Sequence, residues 1–337
     1  MPRRLTVRTE SFRLARPFRI SRGTKQVAEV VTVELAEGDA TGRGECVPYP
    51  RYGETVEGTI AAIEAQRAAL SAGAGRGEML AAMPAGAARN AIDCALWDLE
   101  LRLAGSEIGA ALGLPGPAAP VATALTIGLD TPERMGAAAR ALADVPLIKV
   151  KVDRSDPAAQ LRAVRAAAPA PRMIVDPNES WTMDEVAGLQ DLLAGLRIDC
   201  LEQPLPAGED QGLRGFASAV PIAADESIHV AADLPALPDG YAVVNIKLDK
   251  AGGLTAALEL ARAARARGLA VMTGCMICSS LSIAPGMALA TAADSVLVDL
   301  DGPLWLAQDR PGGVVWHGGL LHAPRPGFWG GGPAAPG

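Results

Sequence analysis

An ionisable or polar residue closes one short apolar run after another at a nearly constant interval. Thr126 closes ATALTI, Lys151 closes LIKVK and Asp176 closes MIVD. Glu202 closes IDCLE, Asp225 closes PIAAD, Lys247 closes AVVNIK and Asp299 closes SVLVD. Successive gaps are 25, 25, 26, 23, 22 and 52 residues, and the last is two beats with Cys275 inside it. Ala-rich stretches such as PAAQLRAVRAAAPA and LTAALELARAARARG lie between the runs. A strand-length apolar run alternating with a helical stretch is a βα unit, and the repeated beat predicts a parallel barrel with a helix after each strand. The fold class is therefore α/β, a modified TIM barrel over residues 116–310. In such barrels the C-terminal strand ends carry the chemistry, so the beat itself presents candidates, one per strand.

Residues 1–115 do not follow the beat. RLTVRTESFRL and VAEVVTVELAE alternate apolar and polar residues and read as antiparallel strands, with SRGTKQ as a loop between them. GRGECVPYPRYGE is a second loop, and two helical stretches follow, so this region is an α+β domain. Residues 311–337 form a Gly- and Pro-rich C-terminal segment expected to pack partly on that domain. A 49% hydrophobic content is ample for a large core, and a net charge of -7 without a Lys/Arg run speaks against nucleic-acid binding. No apolar run approaches the ~20 residues of a membrane span, and the N-terminus lacks the apolar stretch of a secretory signal. Five cysteines, an odd number in mostly apolar contexts, suggest reduced thiols in a cytoplasmic protein. A homo-oligomer is compatible with this composition.

Asp176, Glu202 and Asp225 end three consecutive strands, the third to the fifth. Neighbouring strands lie ~4.8 Å apart, so the three carboxylates are expected to converge on one point. Three buried anions repel one another unless a cation offsets them, and an all-oxygen set suits Mg²⁺. Lys149 and Lys151 are two apart and share one face of strand two. Each is expected to lower the other's pKa, which would make a usable base. Lys247 ends strand six, with Asn245 on the same face. Strands two and six stand opposite each other in an eight-strand barrel. A carboxylate substrate held on the metal would meet one lysine on each side. One amine removes the α-proton and the opposite ammonium returns a proton to the other face, inverting the α-carbon.

The chain resembles the enolase superfamily, muconate-lactonizing subgroup, and within it the dipeptide epimerases acting on L-Ala-D/L-Glu. The resemblance rests on KVKVD (149–153), DPNESW (176–181), LEQPLP (201–206), ADES (224–227), VNIKLDKAGGL (244–254), GCMICSS (274–280) and DLDGPLWLA (299–307). It implies a (β/α)7β barrel with a capping domain, Lys151 and Lys247 as the bases, and Asp176, Glu202 and Asp225 as Mg²⁺ ligands. It also implies that Asp299 and Asp301 bind the dipeptide's α-ammonium, that Thr126, Lys149 and Cys275 line the pocket, and that a capping loop with Arg22 and Lys25 closes over the substrate side chain. A cytoplasmic role in murein-peptide metabolism follows from the same resemblance. Cycloisomerases, o-succinylbenzoate synthases and N-acylamino-acid racemases share the lysines and ligands, but cycloisomerases and o-succinylbenzoate synthases need no ammonium site. A Schiff-base aldolase needs one lysine and no acid triad, and a non-catalytic binding protein needs neither. Cys275-Met-Ile-Cys278 lacks the second ligand pair that zinc would require.

Overall fold

The computed structural model describes residues 2–20, 23–114 and 119–332. Strands β1 (Arg4–Ile20), β2 (Gly23–Glu37) and β3 (Ala40–Cys46) form an antiparallel sheet in the order β1-β2-β3. The alternating apolar residues seen in the sequence put Val31, Val33 and Leu35 of β2 into a core against the helix Ala87–Leu103. Gly42 and Gly44 permit that contact, because a Cβ there would stand 2.2 Å from the Ala95 carbonyl oxygen and 2.1 Å from that of Ala91. The sequence places a loop at SRGTKQ. In the structure β2 already begins at Gly23, inside that stretch, and β1 reaches Ile20 at its edge, and the pairing re-forms past a register shift between Arg13 and Phe18. The long hairpin brings Phe18, Ile20, Thr24 and Lys25 to the mouth of the second domain.

That second domain is a barrel. Strand β4 (Val121–Ala122) precedes it. The eight parallel strands are β5 (Leu125–Ile127), β6 (Leu147–Lys151), β7 (Arg172–Asp176), β8 (Cys200–Glu202), β9 (Ile222–Ala224), β10 (Val243–Lys247), β11 (Ala270–Gly274) and β12 (Leu297–Asp299), hydrogen-bonded in chain order. The ends meet where the Ala124 N–H donates to the Val298 carbonyl at 2.8 Å. One residue per strand position forms an apolar floor: Ala124, Leu147, Ile174, Cys200, Ala223, Val243, Met272 and Leu297. Strand side chains alternate, so the residue two further along each strand faces the same interior. Those residues are Thr126, Lys149, Asp176, Glu202, Asp225, Asn245, Gly274 and Asp299. The polar layer thus follows from the apolar floor by the period of two.

The beat predicts a helix after each strand, but the structure differs after β8 and β9. There the described residues form only the 3-10 turns Asp210–Leu213 and Ala231–Asp233. The connecting sequences PLPAGEDQGLRGFASAVP and HVAADLPALPDG are interrupted by Pro and Gly, which break α-helices. Beyond the barrel, β13 (Val315–His317) and β14 (Leu320–His322) form a hairpin whose β14 pairs with β4. The chain then returns to the first domain, where the Gly330 N–H donates to Asp98 Oδ1 at 2.9 Å and the Trp329 indole to the Arg43 carbonyl at 2.9 Å.

The two domains are joined by buried polar contacts. Arg89 reaches the Gly252 and Ala251 carbonyls at 3.0 and 2.7 Å. Asn90 donates to Asp249 Oδ1 at 2.8 Å, and the Thr255 N–H donates to Asp93 Oδ2 at 2.9 Å. No helix among the described residues is long and apolar enough to cross a membrane.

Candidate active site

A cavity of about 530 Å³ opens between the hairpin and the C-terminal strand ends. Phe18, Ile20, Lys25, Tyr49 and Tyr52 line it from the first domain. Thr126, Lys149, Lys151, Lys247, Cys275, Asp299 and Asp301 line it from the barrel. All of the sequence candidates among the lysines and the Asp-x-Asp pair therefore meet in one place. Arg22 lies outside the described residues.

Lys151 and Asp176 are register partners on β6 and β7, which sets the Lys151 Nζ 2.5 Å from Asp176 Oδ2. Across the mouth, Lys247 Nζ donates to Asp225 Oδ2 at 2.6 Å. Gly274 beside Lys247 is needed there: a Cβ would stand 3.0 Å from the Lys247 Cε and 2.6 Å from Asn245 Oδ1. Lys149 Nζ stands among three carboxylates, 3.0 Å from Asp176 Oδ2, 2.7 Å from Glu202 Oε2 and 2.9 Å from Asp299 Oδ2. The acids are thus brought together, but around ammonium groups rather than on one shared point. As placed, no three acidic, His or Cys side chains among the described residues stand together in a metal-holding group.

The electrostatics follow from burial and these contacts. Burial alone would raise Asp176, but Lys151 and Lys149 outweigh it and hold the carboxyl below its usual range. Burial is likewise outweighed at Asp225, by Lys247 and Lys250. Glu202 is pushed up to about 7, by burial first and Asp176 next, against Lys149. The expectation that the paired lysines depress each other fails for Lys149. Burial favours its neutral form, yet Asp299, Glu202 and Asp176 drive its pKa well above the usual value. Lys247 is raised as well, because Asp225 outweighs burial. Attraction from a carboxylate within 3 Å exceeds the repulsion of a second ammonium farther off.

The Asp-x-Asp pair is asymmetric. Asp299 Oδ2 takes Lys149, while its buried Oδ1 has no hydrogen-bond partner among the described residues. Asp301 Oδ2 accepts the Thr126 N–H at 2.9 Å and the Trp305 indole at 3.1 Å. Burial, then Asp299, pushes Asp301 up to about 6. Among the described cations lining the cavity, Lys149, Lys151, Lys247 and Arg51 each pair with a carboxylate. Lys25 instead sits over the Tyr49 ring at 4.7 Å.

Residues 3–113 match the mandelate racemase/muconate lactonizing enzyme N-terminal domain, and residues 134–328 match the enolase C-terminal domain-like family. The chain belongs to the enolase superfamily. It is 44% identical to the L-Ala-D/L-Glu epimerase of Escherichia coli (strain K12), over 95% of this chain and 99% of that protein. It is 40% identical to an N-acetyl-D-glutamate racemase of a Pseudoalteromonas species, over 90% of this chain and 95% of that one. Among solved structures, an Agrobacterium tumefaciens enolase family member with homology to dipeptide epimerases, with sodium and L-Ala-L-Glu bound, superposes with a TM-score of 0.94 at 48% identity, covering 98% of this chain and 100% of that one. A dipeptide epimerase from Methylococcus capsulatus, complexed with Mg and L-Arg-D-Lys, does so at 0.89 and 34%, covering 98% and 99%.

Several residues around the site were not singled out by sequence reasoning. Lys250 is fully buried and donates to Asp225 Oδ1 at 2.5 Å, to the Asp225 carbonyl, and to the Ile228 and Asn245 carbonyls at 3.1 and 3.0 Å. Gln203 Oε1 accepts the Asp225 and Ser227 N–H groups at 2.8 and 3.1 Å. A lysine three residues beyond Lys247, and a glutamine directly after Glu202, were the available signals. Neither has a period that marks it as inward-facing.

Proposed function

We propose that the protein is a Mg²⁺-dependent dipeptide epimerase that inverts the α-carbon of the second residue, with L-Ala-D/L-Glu as its substrate pair. The observation that carries this is the pair of lysines from opposing strands β6 and β10, each resting on a carboxylate at the mouth of one cavity. Asp176, Glu202 and Asp225 would hold the metal. They form an all-oxygen donor set, and the buried Glu202 Oε2 makes an ion pair with Lys149 but has hydrogen-bond geometry to no donor among the described residues. The bound ion would stabilise negative charge on the substrate's carboxylate as the α-proton leaves. With Asp225 engaged as a ligand, it no longer favours the ammonium of Lys247, and burial then favours the neutral amine. One lysine takes the α-proton from one face and the other delivers a proton to the opposite face. Asp299 and Asp301 hold the α-ammonium through charge-assisted contacts. Lys25, not committed to a carboxylate among the described residues, receives the glutamyl side chain. The role belongs to murein-peptide metabolism in the cytoplasm, with a small molecule and no nucleic acid as the partner.

The 40% identical relative supports a second reading, racemisation of an N-acylated glutamate, in which the α-nitrogen carries no charge. A dipeptide library and N-acetylglutamate, incubated with the enzyme in deuterated water and read by mass spectrometry, separate the two. Deuterium in L-Ala-L-Glu, abolished by chelation and restored by Mg²⁺, supports epimerisation. Exchange into N-acetylglutamate alone selects the second reading. Exchange into neither, with Mg²⁺ present, rejects both.

A further inference from the structure

Directly after Asp176 the chain passes through two consecutive non-glycine residues in the left-handed region, Asn178 at φ 48° and Glu179 at φ 65°. Such a pair persists only where its surroundings over-determine it. Here the ties are visible. The Asn178 N–H donates to Asp176 Oδ1 at 2.8 Å. The Glu179 N–H donates to the Gln203 carbonyl at 2.9 Å, and the Trp181 N–H to that of Pro204 at 3.0 Å. The turn is therefore laced to the segment that follows Glu202. The Glu179 carboxylate accepts the Ala207 N–H at 2.9 Å and takes the Arg51 guanidinium in a two-pronged contact, at 2.8 and 2.7 Å. Arg51 belongs to the capping loop Pro50–Tyr52 and lines the active-site cavity. The Glu179 side chain is 8% exposed and that of Arg51 38%, so the loop supplies the outer half of the pair.

We propose that the Arg51–Glu179 pair is a positioning clasp. Seating of the capping loop fixes the 177–179 turn, and the Asn178 N–H then holds the Asp176 carboxylate in the orientation a bound Mg²⁺ requires. Closure over the substrate and assembly of the metal site are in this way one event. Neither residue is catalytic, because both act through Asn178 and Asp176. The inference rests on the reading of Asp176 as a metal ligand.

Calorimetric titration of Mg²⁺ into the full-length wild type, Glu179→Gln, Arg51→Met and the double variant tests it. Each single variant binds Mg²⁺ about tenfold more weakly, the scale expected when a ligand loses an outer partner. The double variant is no weaker than either single, because the same clasp is broken only once. The Mg²⁺ concentration for half-maximal velocity rises by the same factor. Unchanged affinity in both single variants, or losses that multiply to about a hundredfold in the double, overturns the clasp. Should Glu179→Gln fail to fold, Arg51→Lys, which keeps the charge and loses the planar fork, carries the test, and unchanged affinity there overturns it equally. A wild type that binds no Mg²⁺ removes the metal reading and this inference together. A wild type that binds it, beside variants that bind as well, removes only the clasp.

Discussion

The two sides of the barrel mouth hold the same electrostatic unit built in two ways. On the β6–β7 side, Asp176 is shared by Lys149 and Lys151, two residues apart on one strand. On the β9–β10 side, Asp225 is shared by Lys247 at the end of a strand and Lys250 in the short helix Leu248–Ala251 that follows. Each carboxylate thus faces two ammonium groups, and each is held below its usual pKa against burial. The difference lies in the support. Lys149 also reaches Glu202 and Asp299, so it connects the acids on β7 and β8 to the β12 end of the cavity. Lys250 spends its remaining contacts on backbone carbonyls and fixes the loop that carries Asp225. Lys149 thus ties its side onward across the cavity, while Lys250 ties the other side to the scaffold.

The largest expected effect tests whether the two sides are chemically equivalent. Lys151→Ala and Lys247→Ala should each lower net epimerisation by ~10²–10⁴-fold, the usual span for losing a general acid or base. Each variant should still exchange the α-proton of one enantiomer with solvent, and the two should choose opposite enantiomers by NMR in deuterated water. Exchange of the same enantiomer in both would show that only one lysine faces the α-carbon.

The next effect tests the difference in support. Lys250→Met removes one partner of a buried ion pair and leaves Asp225 less compensated, which typically costs ~3–5 kcal/mol of stability. Chemical denaturation should show that loss. A change under ~1 kcal/mol would mean that Lys247 alone suffices and that the second ammonium is incidental.

A smaller effect examines the β12 end that Lys149 connects. Asp301→Asn should lower kcat/KM for the free dipeptide by roughly 10- to 150-fold, the equivalent of one charge-assisted contact at ~1.5–3 kcal/mol. N-acetylation of the dipeptide should cost the wild type a similar factor and the variant much less. Equal use of free and acetylated dipeptide by the wild type would reject the ammonium role and favour N-acylamino-acid turnover.

The smallest effect is a pH dependence on the scaffold side. Asp249, next to Lys250, accepts the Val47 N–H and Asn90 across the domain boundary, and burial pushes it up to about 7. Its ordinary value is 3.8, so between about pH 4 and 7 the folded state holds a proton that the unfolded chain lacks. That contribution is full below the ordinary value and is lost as pH rises through about 7, at no more than ~1.4 kcal/mol per pH unit. Asp249→Asn keeps the accepting oxygen and removes the titration. Its stability measured from pH 5 to 7 should therefore fall less steeply than that of the wild type. Parallel curves would show that Asp249 is already ionised in the folded protein.

These sites differ in how far they could be read beforehand. Lys149, Lys151, Asp176 and Glu202 were legible because they sit at period two above apolar strand residues, and the same count yields Thr126 and Asp299. The helices expected after β8 and β9 were not legible as absent. The beat there is kept by length, while Pro and Gly divert the chain into 3-10 turns. Lys250 escaped because it lies just past the strand, where the period of two no longer says which way a side chain points. Arg51 and Glu179 escaped because they lie 128 residues apart on two domains, and each alone reads as a surface charge in a polar loop.

By itself the sequence determined the barrel, the separate N-terminal domain and the ring of polar strand ends, since those depend on local apolar periodicity and on the alternation of strand side chains. Only the tertiary structure decided which charge each of those residues meets. It placed Lys149 among Asp176, Glu202 and Asp299 and so raised its pKa where spacing alone predicted a fall. The reason is that Coulomb energy depends on distances of a few ångströms and on burial. Both are set by strands and loops far apart in the chain.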